Sequence, residues 1–209
     1  MIDLLLVGGL VIVILAFGLS IPHWLKRWRI GRAFNGLVRR LGGGVVESRL
    51  FRWPRFTGIV RGLPCQIEFE TTLVYSRYGG LGDLATRYRI GVRGPVGSSI
   101  SFVRSSGLPR WLTPRGSNAG GVQVGENAWR AFAPNLDEAE RLAGSPEVAA
   151  LLRSLDALKI ITLNQTWVEA LEVEVSRAEL EVDRWLSIFT HLTNLARVVT
   201  RVESVAMSV

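Results

Sequence analysis

The chain is poor in the side chains that most protein chemistry relies on. Its 209 residues include one cysteine, Cys65, and two histidines, His23 and His191. A single cysteine cannot close an internal disulfide, so the fold does not depend on an oxidising compartment. Cys65 alternates with Ile67 and Phe69, which marks it as a small buried apolar residue rather than a nucleophile. Metal sites need clustered His, Cys or carboxylate ligands; this chain has too few of them, and no metal or other cofactor is expected. His23 and His191 read as polar flank and as a helix residue, respectively. A serine hydrolase would need a nucleophile elbow, which is missing. The acidic pairs Glu172/Glu174 and Glu179/Glu181/Asp183 read as solvated faces. Nothing here points to an enzyme.

Lysine is scarce as well. Lys26 and Lys159 are the only two among 25 cationic residues. An arginine excess spread along the whole chain is what GC-rich codon usage produces. No arginine-rich segment carries the aromatic interleaving of a single-strand binder, so nucleic acid is not an expected partner.

Charge is absent altogether from Leu4 to Ile21, LLLVGGLVIVILAFGLSI. As a helix this run spans roughly 27 Å, close to the hydrocarbon core of a bilayer. Met1-Ile2-Asp3 lacks the positive charge of a signal peptide, and Phe17 and Leu19 are too large for a cleavage site. An uncleaved single-pass anchor over residues 1–22 is expected. Gly8 and Gly9 offer a small-residue face on which another transmembrane helix could dock.

No side-chain cation precedes the apolar run. Behind it come Pro22-His23-Trp24-Leu25-Lys26-Arg27-Trp28-Arg29, then Arg32, Arg39 and Arg40. Trp24, Lys26, Arg27, Trp28, Arg29 and Arg32 form the aromatic and cationic belt of a membrane interface. The one-sided charge orients the chain in a bacterial inner membrane with its N-terminus outside and the rest in the cytoplasm. Ile30, Phe34, Leu37 and Leu41 recur at helical spacing, so residues 23–44 read as an amphipathic juxtamembrane helix closed by a Gly42-Gly43-Gly44 hinge. Its apolar stripe could rest on lipid or on the domain that follows.

Residues 1–115 hold 17 cations and 5 anions, and residues 116–209 hold 8 and 13, within a net charge of +7. The basic half could face anionic lipid headgroups, or basic strands could pair with acidic ones within the domain.

Residues 45–209 read as one α+β domain. Strands are expected over Val45–Phe51, Phe56–Arg61, Pro64–Glu70, Arg87–Arg93 and Ile100–Arg104, arranged as an antiparallel meander. Glu68 and Glu70 should oppose Arg87 and Arg89 across two of them. Short strands at Val122–Val124 and Ala128–Ala133 follow, then helices at Leu136–Ala143 and Pro146–Leu155. A second hairpin, Leu158–Leu163 with Trp167–Val175, should turn Leu171, Val173 and Val175 inward and Glu172 and Glu174 outward. A helix from about Arg177 to Glu203, with Trp185, Phe189, Leu192, Ala196 and Val199 on its stripe, should cover the sheet. Two loops are long. Residues 71–86 read as a glycine-rich hairpin tip. In residues 105–121, Trp111 stands with Arg110 and Arg115 and is either a partner-binding anchor or a lid on the sheet.

Phe56-Thr57-Gly58-Ile59-Val60-Arg61-Gly62 forms an F-x-G-x-x-R-G hairpin. With Trp129-Arg130-Ala131-Phe132 and the SPEVAALL run at 145–152, it resembles an uncharacterised family of bacterial single-pass membrane-anchored α+β proteins. The resemblance covers roughly residues 45–200. It implies a fold type and no catalytic residue.

The expectation drawn from all this is a non-catalytic accessory or scaffold subunit of a larger integral-membrane complex. The suggested class is bioenergetic, a photosynthetic reaction-centre or antenna complex or a respiratory one. The alternatives are a stand-alone membrane-surface binding protein and a membrane-tethered enzyme.

Overall fold

Apolar residues alternate along the strands and recur every three to four positions along the helices, and these two periods build a two-layer structure. The computed structural model describes residues 24–48, 52–71, 84–92, 99–104, 121–126, 128–173 and 180–206. The expected anchor, with Gly8 and Gly9, lies outside the described residues. Among those that are described, no helix is long and apolar enough to cross a membrane.

The strands are β1 (Val45–Glu47), β2 (Arg55–Val60), β3 (Leu63–Thr71), β4 (Leu84–Gly91), β5 (Ile100–Arg104), β6 (Val122–Gln123), β7 (Trp129–Phe132), β8 (Leu158–Leu163) and β9 (Trp167–Val173). They form one sheet in the order β1-β2-β3-β4-β9-β8-β5-β7-β6. Every pairing is antiparallel. The first four strands make the expected meander. Beyond β4 the order departs from it: the β8–β9 hairpin inserts between β4 and β5. That insertion sets Val168 opposite Ile90 and Glu169 opposite Arg89, so an apolar pair and an opposite-charge pair form in adjacent rows. The described edge strands β1 and β6 have three and two residues, which leaves little backbone open to stray pairing.

The turn from β2 to β3 is two residues long, Arg61 and Gly62, with φ of 53° and 76°. Positive φ at both central positions is the geometry that matches the twist of a hairpin. Glycine takes it freely, while Arg61 holds a left-handed conformation that costs a residue with a Cβ about 1 kcal/mol or more.

The helices are α1 (24–41), α2 (Leu136–Ala143), α3 (Pro146–Ser154) and α4 (Val182–Ala206). α2 and α3 begin where their caps dictate. The Asn135 side chain accepts from the Glu138 N–H at 2.7 Å, and Ser145 accepts from Val148 N–H ahead of Pro146. α4 lies on the inner face of the sheet and buries Trp185, Phe189, Leu192, Leu195 and Val199.

α1 lies on the same face. Ile30, Phe34 and Leu37 are fully buried and belong to the single core. The Phe34 ring centroid lies 5.9 Å from Phe56 on β2, 5.7 Å from Phe69 on β3 and 5.1 Å from Trp185 on α4. Of the two seats that the periodicity left open, α1 therefore takes the domain. The glycines behind it end the helix rather than separate two bodies. Gly42 sits at φ 70°, and the Gly43 N–H donates to the Val38 carbonyl at 3.1 Å, a closure that satisfies an otherwise orphaned helix carbonyl.

The cross-strand ion pairs also differ from expectation. Glu68 does stand opposite Arg87, but Arg89 faces Gln66 and Glu70 faces Ala85. Insertion of β9 gives both arginines another partner: Arg87 and Arg89 reach Glu169 at 2.5 and 2.7 Å, while Arg55 takes Glu68 at 2.8 Å.

Because Phe34 is enclosed by three aromatic rings from three elements, Phe34→Ala should destabilise the folded domain by about 3–5 kcal/mol. Denaturant or thermal unfolding measures it. A helix seated on lipid instead would leave the domain's unfolding unchanged.

Candidate functional site

The face of α1 turned away from the core carries the side chains singled out from sequence. Trp24 and Trp28, one turn apart, are 63% and 51% exposed, and Leu25 beside them is 41% exposed. Arg32 follows one turn later, with its guanidinium carbon 5.4 Å from the Trp28 ring centroid. That cation–π contact fixes both side chains for about 0.5–1 kcal/mol at an exposed position. Arg27 reaches across to the segment after β1, donating to Ser48 Oγ at 3.3 Å.

Between α1 and that segment lies a groove of about 360 Å³, lined by Trp24, Arg27, Trp28, Gly31, Arg32, Asn35, Ser48 and Pro54. A side chain at Gly31 would meet no atom within 4 Å, so the space beside it is open. None of the described lining residues is acidic. The groove combines two guanidinium groups, an amide, a hydroxyl and two indole faces. The arrangement can bind an anion with apolar surface beside it.

Sequence reasoning therefore identified four residues that the fold brings together, Trp24, Arg27, Trp28 and Arg32. Lys26 and Arg29 are exposed on the same helix but do not line the groove. Ser48, Pro54 and Asn35 were missed, because only the tertiary structure sets the segment after β1 against α1. Arg110, Trp111 and Arg115, like Gly8 and Gly9, lie outside the described residues.

A second polar feature was read wrongly from sequence. Glu172 belongs to the inner face of β9 with Val168 and Ala170 and is only 2% exposed; Leu171 faces the other side. The Asn164 turn sets this parity. The Asn164 side-chain oxygen accepts from the N–H groups of Thr166 and Trp167 at 3.0 and 2.8 Å, and Leu163 then pairs with Val168. The Tyr88 hydroxyl donates to Glu172 Oε2 at 2.6 Å, and Arg184 on the first turn of α4 pairs with Oε1. Both carboxylate oxygens are engaged, so Glu172 clamps α4 to the sheet.

Among the described residues no three His, Cys, Asp or Glu side chains converge as metal ligands. His191 is half-buried on α4, and its Nδ1 makes no hydrogen bond. Burial pushes the Cys65 thiol up to about 11, only partly offset by a backbone hydrogen bond at Gly58.

No family model and no curated protein matches the chain, which is consistent with the uncharacterised family that its motifs resemble. Among solved structures, the fold is similar to the crystal structure of the mycobacterial trehalose monomycolate transport factor A, TtfA. The TM-score is 0.57 at 16% identity, and the match covers 83% of this chain and 95% of that one. At this identity the likeness is one of fold.

Two outcomes follow from the buried groups. Glu172→Leu should cost about 3 kcal/mol or more, since Arg184 and Tyr88 lose their shared acceptor at once. Adding Arg184→Leu and Tyr88→Phe should restore most of that loss, as unfolding free energies will report. Cys65 should resist alkylation at pH 8, where its folded thiol is almost wholly protonated, and should react at the rate of unfolding once denaturant is added.

Proposed function

We propose that the protein is a non-catalytic accessory subunit of a larger integral-membrane assembly, anchored by residues 1–22 and holding its domain at the cytoplasmic face. The observation that carries this reading is the burial of α1 in the domain core. The apolar run ends at Ile21, so only Pro22 and His23 precede the described start of α1. Two residues reach at most about 7 Å. A domain tethered this closely cannot search the cytoplasm for a soluble substrate. It is suited to contacts with proteins in the same membrane.

The neighbour in fold is titled a transport factor, and by analogy of fold alone a transport assembly is one class of complex that such a subunit fits. The photosynthetic or respiratory complex suggested by sequence has no feature of the fold behind it.

Extraction from native membranes in a mild detergent, followed by sizing and mass spectrometry, tests the reading. Integral-membrane polypeptides in fixed proportion to this chain are the expected result. A small particle of this chain alone would overturn it in favour of a stand-alone membrane-surface binding protein.

A further inference from the structure

We infer that the groove that α1 forms with Ser48 and Pro54 binds the phosphate headgroup of an anionic phospholipid in the bilayer that holds the anchor. The inference rests on the membrane-anchored reading above and names a ligand for its surface.

Three observations converge on this. The first is charge. Arg27 and Arg32 both line the groove, and no described lining residue is acidic. Each guanidinium is held before any ligand arrives, Arg27 by Ser48 Oγ and Arg32 by the Trp28 ring. Pre-positioned arginines lose little freedom on binding, and their forked donors match phosphate oxygens.

The second is apolar exposure. Six large hydrophobic side chains are exposed among the described residues, and three of them, Trp24, Leu25 and Trp28, fall within five positions at the start of α1. Exposed indoles beside arginines are the side chains of a headgroup layer, where one end of the ring is apolar and the other wet. A soluble anion would leave this apolar surface in water.

The third is position. The groove lies at the end of α1 nearest the apolar run in sequence, the end that the membrane-anchored reading sets beside the bilayer. Its volume of about 360 Å³ falls at the lower end of ligand sites. It takes a headgroup and leaves the acyl chains beside Trp24 and Leu25.

The chain from residue 23 onward retains every core residue among the described ones, which run from Ile30 to Val199. That chain, once cooperative unfolding shows it folded, is tested on vesicles by flotation. Vesicles of phosphatidylcholine with phosphatidylglycerol should retain it at least tenfold better than phosphatidylcholine alone. Arg27→Gln with Arg32→Gln should lower retention by about a hundredfold or more, because charge-assisted hydrogen bonds to phosphate exceed the roughly fivefold per residue that diffuse surface charge supplies. Trp28→Ala should lower it too, because Arg32 loses its support. Lys26→Gln with Arg29→Gln removes the same charge from the same helix outside the groove, and it should cost clearly less. Equal losses for the two double variants would reduce the effect to diffuse charge and overturn the site. Absence of any preference for phosphatidylglycerol would overturn it as well and would leave an acidic segment of a protein partner as the occupant. Displacement from vesicles by millimolar inorganic phosphate, with saturable phosphate binding in calorimetry, would assign the groove to a soluble anion. Each of these failures leaves the co-extraction result untouched, and a failed co-extraction with intact vesicle binding would sink only the accessory-subunit reading.

Discussion

The burial of Phe34 is the contact on which the rest depends. Its ring meets Phe56, Phe69 and Trp185, and so joins the first helix, the start of the sheet and the start of the last helix. Phe69 and Trp185 also meet each other, edge to face at 6.5 Å, so the cluster closes on itself. Aromatic pairs of this kind contribute about 0.5–1.5 kcal/mol each beyond the area that they bury. The orientation of α1 relative to the sheet is thereby fixed, and so is the position of everything on its outer face. The groove exists because the inner face of α1 is held down. If the helix were free, Arg27 would not reach Ser48.

The same cluster explains the asymmetry of the domain. α1 and α4 share the inner face of the sheet, and Gly36 on α1 lies close to Val182 at the start of α4. The Glu172–Arg184–Tyr88 contact lies at that end of α4 too. A buried carboxylate is costly unless both of its oxygens are satisfied, and such a pair adds little net stability. Its effect is on registry: only one placement of α4 puts Arg184 over Glu172 while Trp185 enters the Phe34 cluster. The outer face carries instead a row of partly exposed pairs, Arg55 with Glu68 and Arg87 and Arg89 with Glu169. Pairs of this exposure contribute little energy and mainly bias which strands are neighbours.

Much of the fold was legible in the sequence, and the exceptions have physical causes. α2 and α3 lie within a residue of their expected bounds, because caps such as Asn135 and Ser145-Pro146 are local and act on the adjoining turn. The stripe of α4 was legible because Trp185, Phe189, Leu192, Ala196 and Val199 keep helical period over about four turns. The parity of β9 was not. Trp167, Val168, Ala170, Leu171 and Val173 offer apolar residues to both faces, so alternation alone cannot choose. The choice was made by the Asn164 turn and its pairing with β8. The insertion of β8–β9 between β4 and β5 was hidden for a similar reason, since strand order depends on contacts between segments about 80 residues apart, as in Arg87 with Glu169. The candidate site was half legible: Trp24, Arg27, Trp28 and Arg32 follow from one helix's periodicity, whereas Ser48 and Pro54 enter only when the chain has folded back.

The charge asymmetry between the two halves of the chain can now be divided. Part of it is internal. Arg87 and Arg89 from the basic half meet Glu169 from the acidic half, and Arg40 meets Asp183 at 3.6 Å. These contacts are a consequence of topology, because β9 must lie beside β4 and α4 beside α1. The remainder sits elsewhere. Lys26, Arg29 and Arg32 are exposed and form no ion pair with any described residue. They occupy the end of α1 that carries the exposed indoles, where neutralising them with carboxylates would remove attraction to an anionic surface. Pairing within the domain thus holds for Arg55, Arg87 and Arg89 on the strands and for Arg40 near the end of α1. The cations at the start of α1 face outward, and the lipid-facing reading of the basic half concerns them alone.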